Sequence, residues 1–255
     1  MVGRVRIGVS GWTYPPWRGD FYPTGLPQRE ELAYAASRLT SIEINGSFYA
    51  LQKPESYRKW RDQTPDGFVF AVKGSRFITH MKRLADPAEP LARFFGSGVF
   101  ELGPKLGPVL WQLPESFEYD EERLATFFGQ LPRSDPDGRP VRHALEFRSK
   151  TFDKPETYDL LRDQHIACVL ADTAGRWPKV EQDTADFRYV RLHGDAELYT
   201  SGYDDTALDA WAARIKAWDD SQDAFVYFDN DAKGYAPHDA ERLMERLGRA
   251  GPRRR

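Results

Sequence analysis

Ser41-Ile42-Glu43-Ile44-Asn45 is followed, after a short break, by the helical pattern Pro54–Thr64 and then by Phe68–Lys73. The outer two segments are short runs rich in Ile, Val and Phe, bounded by turn-forming residues, which is the signature of buried strands. The middle segment opens on Pro at a first helical position and sets Tyr57 and Trp60 three apart, on one face. Parallel neighbours need a crossover, so strand, helix, strand reads as one βαβ unit.

The same rhythm runs outward in both directions. Further strand-like runs are Val5–Ser10, Pro108–Gln112, His143–Arg148, Ala167–Asp172, Phe187–His193 and Ala224–Asp229, which makes eight in all. Helical periodicity appears over Gln28–Leu39, after Asp86-Pro87 with Leu91, Phe94 and Phe95, and over Asp120–Leu131, Pro155–His165, Asp204–Trp218 and Pro237–Leu247. Only Thr173–Asp186 breaks step, because Pro178 and weak periodicity favour a loop. Eight units in 255 residues is about 32 residues each, the size of one βα module. The expected fold class is α/β, a single (β/α)8 TIM barrel over residues 1–250 with a weak or missing helix after strand 6. An open doubly wound sheet would announce a Gly-rich phosphate turn. Here strand 1 runs into Gly11-Trp12-Thr13-Tyr14-Pro15-Pro16-Trp17, which is not one. Residues 251–255, Gly-Pro-Arg-Arg-Arg, are expected to be a disordered basic tail, with an anion or nucleic-acid contact as the sharper alternative.

Composition sets limits. Lys plus Arg is 36 against 39 Asp plus Glu, a net of −3, which excludes a general polycation but not a local basic groove. One cysteine, Cys168, excludes an intrachain disulfide and a cysteine-rich zinc site. No run of about 18 apolar residues and no secretory h-region is present, so the expected address is cytoplasmic, with no membrane partner.

Alternation along each strand then sorts side chains between the helix layer and the barrel interior. Ile42 and Ile44 must meet the helices, so Glu43 and Asn45 point inward. The same count sends Lys73, Gln112, Glu146, Arg148, Tyr189, Arg191, His193, Tyr227 and Asp229 inward, and Asp172 ends strand 6. These groups sit near the C-terminal strand ends, where barrel enzymes carry their sites. Unpaired buried charge is costly, so a cluster of it points to function, with an interior salt-bridge network as the structural alternative. Rim loops add Trp12, Tyr14, Trp17, Phe21 and Tyr22, then Phe48 and Tyr49, and a basic stretch with Arg76, Lys82 and Arg83 beside Lys73 and His80.

Glu43-Ile44-Asn45-Gly46-Ser47-Phe48-Tyr49, Ile78-Thr79-His80, Trp111-Gln112-Leu113-Pro114, Leu145-Glu146-Phe147-Arg148, Tyr189-Val190-Arg191-Leu192-His193-Gly194 and Tyr227-Phe228-Asp229-Asn230-Asp231 follow one another in this order. Over about residues 5 to 248 the chain resembles the YecE-like family, domain of unknown function 72. The resemblance implies a TIM barrel with no established activity, loosely grouped with sugar isomerase-like barrels and compared with endonuclease IV-like ones, both by fold analogy. It also implies a hydroxyl residue where this chain has Gly46.

The expected catalytic set is Glu43, Lys73, His80, Glu146, Asp172 and His193, with a carboxylate as base and His80 or His193 as acid or shuttle. The expected substrate-binding set is Trp12, Asn45, Tyr49, Gln112, Arg148, Arg191, Tyr227, Asp229 and Asn230. Lys73 is also of the type that forms Schiff bases at barrel strand ends. No cofactor is expected. Were a metal present, Glu146, Asp172, His193 and Asp229 would suit Mg²⁺ or Mn²⁺, although Arg148 and Arg191 would compete for the same carboxylates. The expected function is an enzyme, isomerase-like or hydrolase-like, using acid–base chemistry on a small anionic or phosphorylated sugar-like ligand. The alternatives are a nucleic-acid-binding or phosphodiester-cleaving barrel, and a non-catalytic ligand-binding barrel. Oligomeric state is open. Trp211 and Trp218 mark either a dimer face or packing on the barrel.

Overall fold

β-Branched and aromatic runs pair in parallel to give β1 (Val5–Ser10), β2 (Ser41–Ile44), β3 (Val69–Lys73), β4 (Leu106–Gln112), β5 (His143–Glu146), β6 (Ile166–Asp172), β7 (Phe187–Leu192) and β8 (Asp223–Phe228). They close in chain order, with β8 beside β1. The computed structural model describes residues 4–218 and 221–248, so the expected tail lies outside the described residues. After β1 comes α1 (Glu31–Arg38), and a one-turn α2 (Gly46–Tyr49) follows β2 at the mouth of the barrel; with α1, the outer ring holds α3 (Pro54–Asp62), α4 (Ala88–Gly96), α5 (Glu121–Gly129), α6 (Pro155–Asp163), α7 (Asp205–Lys216) and α8 (Tyr235–Arg246). No helix among the described residues is long and apolar enough to cross a membrane.

Alternation divides the core in two. Ile42, Ile44, Phe70, Val72, Trp111, Leu145, Val190, Leu192, Val226 and Phe228 join the large core between sheet and helices. A smaller interior core contains Val69, Ala71, Leu110, Ala144, Phe187, Tyr189, Phe225 and Tyr227. It fills the barrel below the charged level, with Tyr189 and Tyr227 rings 5.2 Å apart. Packing there is tight: a Cβ on Gly8 would lie 1.8 Å from the Ser41 carbonyl oxygen, so only glycine fits this strand-to-strand approach.

Two connections depart from the strand–helix rhythm. Between β6 and β7, Thr173–Asp186 forms turns without a helix. Thr184 replaces one, its hydroxyl donating to the Ile166 carbonyl and accepting from the Cys168 N–H while Val180 packs into the core. After β3, the basic stretch read as a loop contains a π-helical turn, Phe77–Met81. Such turns are rare and recur at functional sites. Trp211 is buried against the barrel, and Trp218 packs on the same core.

Candidate functional site

Glu43, Glu146, Arg191 and Asp229 come from β2, β5, β7 and the end of β8, and strand closure brings their tips to one point. Arg191 is fully buried there. Its Nε and Nη2 donate to Glu43 at 3.1 and 2.9 Å, Nη1 donates to Glu146 at 2.7 Å, and Nη2 also reaches Asp229 at 2.8 Å and Ser10 at 3.1 Å. Glu43 further accepts from the Tyr189 hydroxyl at 2.6 Å and from Ser10. His193 Nδ1 lies 3.0 Å from Asp229, and its Nε2 3.4 Å from Arg191 Nη1. Burial alone would raise the Glu146 carboxyl, but Arg191 and Arg148 hold it well below the usual carboxylate range. Burial opposes the Arg191 charge too, yet the three carboxylates keep it protonated.

Above this hub opens a cavity of about 710 Å³. Asn45, Tyr49, Lys73, His80, Gln112, Arg148 and Asp229 line it, as expected from the sequence; so do Tyr14, Phe48, Arg76, Met81, Tyr199, Asp231 and Ala232. Lys73 points in from the end of β3, its Nζ 4.5 Å from the centre of the Phe48 ring. It makes no ion pair among the described residues. Burial, then the nearby Arg191 charge, pull its ammonium down to about 8. The π-helical turn puts His80 on the wall, where Nδ1 meets the Thr79 hydroxyl at 2.9 Å. Burial and the Lys73 charge press His80 down to about 4, so at neutral pH it is an acceptor rather than the expected acid. Arg148 donates to Glu146 at 3.0 Å and to the Tyr199 hydroxyl at 3.1 Å, and stacks 3.7 Å over Trp177. Ser47 Oγ donates to the Lys73 carbonyl at 2.6 Å, while a Cβ on Gly46 would meet only Gln52 at ordinary contact distance. The hydroxyl missing at Gly46 is therefore not needed to fix the end of β3.

Asp229 and Asp231 part company. Asp231 is buried and Asp229 largely so, which penalises charge, but Asp229 touches Arg191 and His193 and stays well below the carboxylate range. Asp231 is pushed well above it, by burial and then by the negative charge of Asp229. Its Oδ1 has no hydrogen-bond partner. Neither does Oδ1 of Asn45 or Oε1 of Gln112.

Several sequence expectations need correction. Asp172 shares its parity with Ile166, Cys168 and Leu170, so it points out of the barrel, where Lys179 at 2.9 Å and the Tyr203 hydroxyl at 3.3 Å hold it. The proposed metal set is thus not assembled, and Arg191 stands between Glu146 and Asp229; no group of three or more His, Cys, Asp or Glu is placed to hold an ion among the described residues. Tyr227 points inward but one level too deep, bonded to Ser41 at 2.7 Å. Asn230 faces outward and donates to Asp239 at 2.9 Å and to the Ser201 carbonyl at 3.0 Å. Trp12 packs edge-on against Trp60, off the cavity wall. Arg191 and His193, expected as a ligand contact and an acid, lie wholly beneath the cavity with Glu43 and Glu146. Of the basic stretch, only Arg76 reaches the wall: Lys82 pairs with Asp86 at 3.7 Å, and Arg83 donates to Ser116.

Asp231 was within reach of the sequence, since alternation from Asp229 continues one step past β8. Tyr199 was not. It comes from the loop after β7 with φ +64°, a region non-glycine residues rarely enter, and its ring covers His193 edge-on at 5.3 Å.

The family model described as "Protein of unknown function DUF72" matches residues 6–254. The UPF0759 protein YunF of Bacillus subtilis (strain 168) is 25% identical over 95% of this chain and 94% of its own length. The UPF0759 protein YecE of Escherichia coli (strain K12) is 33% identical over 56% of this chain and half of its own. The crystal structure of a DUF72 family protein from Thermotoga maritima superposes with a TM-score of 0.81 at 26% identity, over 96% of this chain and 99% of that one.

Proposed function

The chain belongs to the DUF72 family, and on that footing we propose that it is an enzyme acting on a small anionic, sugar-like or phosphorylated metabolite by acid–base chemistry at the C-terminal face of the barrel. One observation carries this proposal: the cavity faces an excess of uncommitted cationic donors. Lys73 and Arg76 have no carboxylate partner among the described residues, and Arg76 is engaged only by the Tyr49 ring, 5.7 Å away. The charge of Asp229 is already taken by Arg191, and burial together with the Asp229 charge raises the Asp231 carboxyl well above its usual range, which disfavours a second negative charge there. An anion in the cavity supplies the missing partner.

The rest of the wall suits a polyol. The unpaired carbonyl oxygens of Asn45 and Gln112 are acceptors waiting for hydroxyl donors. Asp229 and Asp231 form a pair whose environments separate their protonation states, which is how acid and base are assigned to neighbouring carboxyls. Asp231 donates the proton, and neutral His80 is the acceptor on the opposite wall. The hub around Arg191 orients Asp229 and takes no part as a free clamp. The nucleic-acid alternative is less supported, because Lys82 and Arg83 already have partners.

Thermal-shift titration tests the proposal. Inorganic phosphate and sugar phosphates should raise Tm saturably, neutral sugars much less. Arg76→Ala should weaken binding by about tenfold, as expected for a charge-assisted hydrogen bond of ~1.5 kcal/mol. Asp172→Asn, outside the cavity, should bind as the wild type does. If neither phosphate, sugar phosphates nor sugar acids shift Tm, the cavity is not an anion site.

A further inference from the structure

An interior lysine in a barrel normally has a carboxylate to answer it. Three carboxylates stand beside Lys73, and all three are spent on other cations: Glu43 on Arg191, Glu146 on Arg191 and Arg148, Asp229 on Arg191. The amine instead rests on an aromatic face and opens into the cavity. Its backbone is pinned on both sides. Ser47 holds the Lys73 carbonyl, and a Cβ on the adjacent Gly74 would lie 2.3 Å from the Trp111 ring. A rigidly mounted, unpaired, shielded amine facing a cavity is a nucleophile in position.

We propose that Lys73 captures its ligand covalently, its ε-amine forming an imine with an aldehyde or ketone carbon of the anionic metabolite. The proposal rests on the anion site described above, and it names the substrate class as a small anionic carbonyl compound. In the forward step the neutral amine's lone pair forms the C–N bond, the C=O π pair moves to oxygen, and the nitrogen's extra proton passes to that oxygen. The resulting carbinolamine loses its hydroxyl as water, with the proton supplied by the Asp231 carboxyl, whose protonated form burial and the Asp229 charge favour. A protonated imine and an Asp231 carboxylate remain, so charge and atoms balance without any oxidant. Arg76 is left to hold the anionic group. Burial favours the reactive form: with its ammonium at about 8 against the ordinary 10.5, Lys73 has a neutral fraction at pH 7 a few hundred times that of an exposed lysine.

The test is reductive trapping. Purified full-length protein is incubated with dihydroxyacetone phosphate or pyruvate plus cyanoborohydride, with neutral hydroxyacetone as comparison. Intact mass and peptide mapping then report which of the ten lysines carries the adduct. A single adduct on Lys73, with a yield rising through about pH 8, lost in Lys73→Arg and Lys73→Met, and suppressed by inorganic phosphate, supports the imine and the anion site together. Adducts spread over surface lysines, with Lys73 unlabelled, overturn the imine. If phosphate still raises Tm in that case, the anion site survives alone. Labelling of Lys73 by hydroxyacetone and dihydroxyacetone phosphate alike, without phosphate protection, keeps the imine and removes the anion site. Circular dichroism of both Lys73 variants separates lost chemistry from lost folding.

Discussion

Arg191 and Lys73 are two cations in one barrel, and the protein treats them oppositely. Arg191 sits at the centre with carboxylates from three strands around it, Ser10 beside it and no access to the cavity. Lys73 sits at the edge, close to the same carboxylates, with an aromatic ring for company and the cavity in front. A saturated buried network is a rigid platform, whereas a buried charge left without its partner is held at a cost that packing alone would not select. The first region builds the floor; the proposal gives the second the chemistry.

The largest effect should come from breaking the first region. Arg191→Ala strands Glu43, Glu146 and Asp229 in the interior without their countercharge. It should cost about 3–5 kcal/mol, a large part of a domain's usual stability, read as a lower urea midpoint. A loss below 1 kcal/mol would mean that the hub is dispensable and the contrast with Lys73 false.

Lys73→Met should do the reverse. The native ammonium is depressed to about 8 from 10.5, so below pH 8 both folded and unfolded chains are protonated and the whole penalty of burying the charge is present. As pH rises from 8 to 10.5 the folded lysine loses its proton first, and the penalty fades. The variant should therefore be more stable by about 3 kcal/mol at neutral pH, with the gain vanishing by about pH 10.5. Denaturation at pH 7 and pH 10.5 measures both ends, while imine trapping is lost throughout.

Asp231→Asn sharpens the comparison with a smaller change. The folded carboxyl is raised above its ordinary 3.8. Below that value folded and unfolded chains are both protonated, and the substitution should be near neutral. Above it the unfolded chain ionises first, so the wild type loses stability with rising pH and the amide does not. A gain in stability at pH 7 that fades as the pH falls toward 3.8 is expected, together with slower imine trapping at Lys73. A gain already complete at pH 3 would assign the effect to packing instead.

Most of the fold was legible because buried strands repeat their chemistry. Ile42 and Ile44 against Glu43, or Val190 and Leu192 against Arg191, fix parity without any knowledge of neighbours. The floor of the site followed from that parity. What alternation cannot give is depth, which is why Tyr227 was placed one level too high. It also had to be applied everywhere: counting back along β6 from Asp172 through Leu170 and Cys168 would have turned that carboxylate outward. The wall was less legible because it comes from loops. The π-helical turn that presents His80 and the left-handed backbone of Tyr199 answer to tertiary contacts, and no local pattern encodes either. Nor does charge counting tell which cations are satisfied; Arg191 and Lys73 read alike until their partners are seen.

Arg191 and Glu43 lie 148 positions apart in the chain. Their bonds form only once β2 and β7 occupy the same closed ring, and contacts of such long sequence separation are slow to establish during folding. We expect the hub to engage late, after the rate-limiting step, which refolding and unfolding rates of Arg191 variants check. Substitutions in it should leave the refolding rate nearly untouched and fall almost entirely on the rate at which the ring springs open, making this polar knot a determinant of how long each folded molecule lasts.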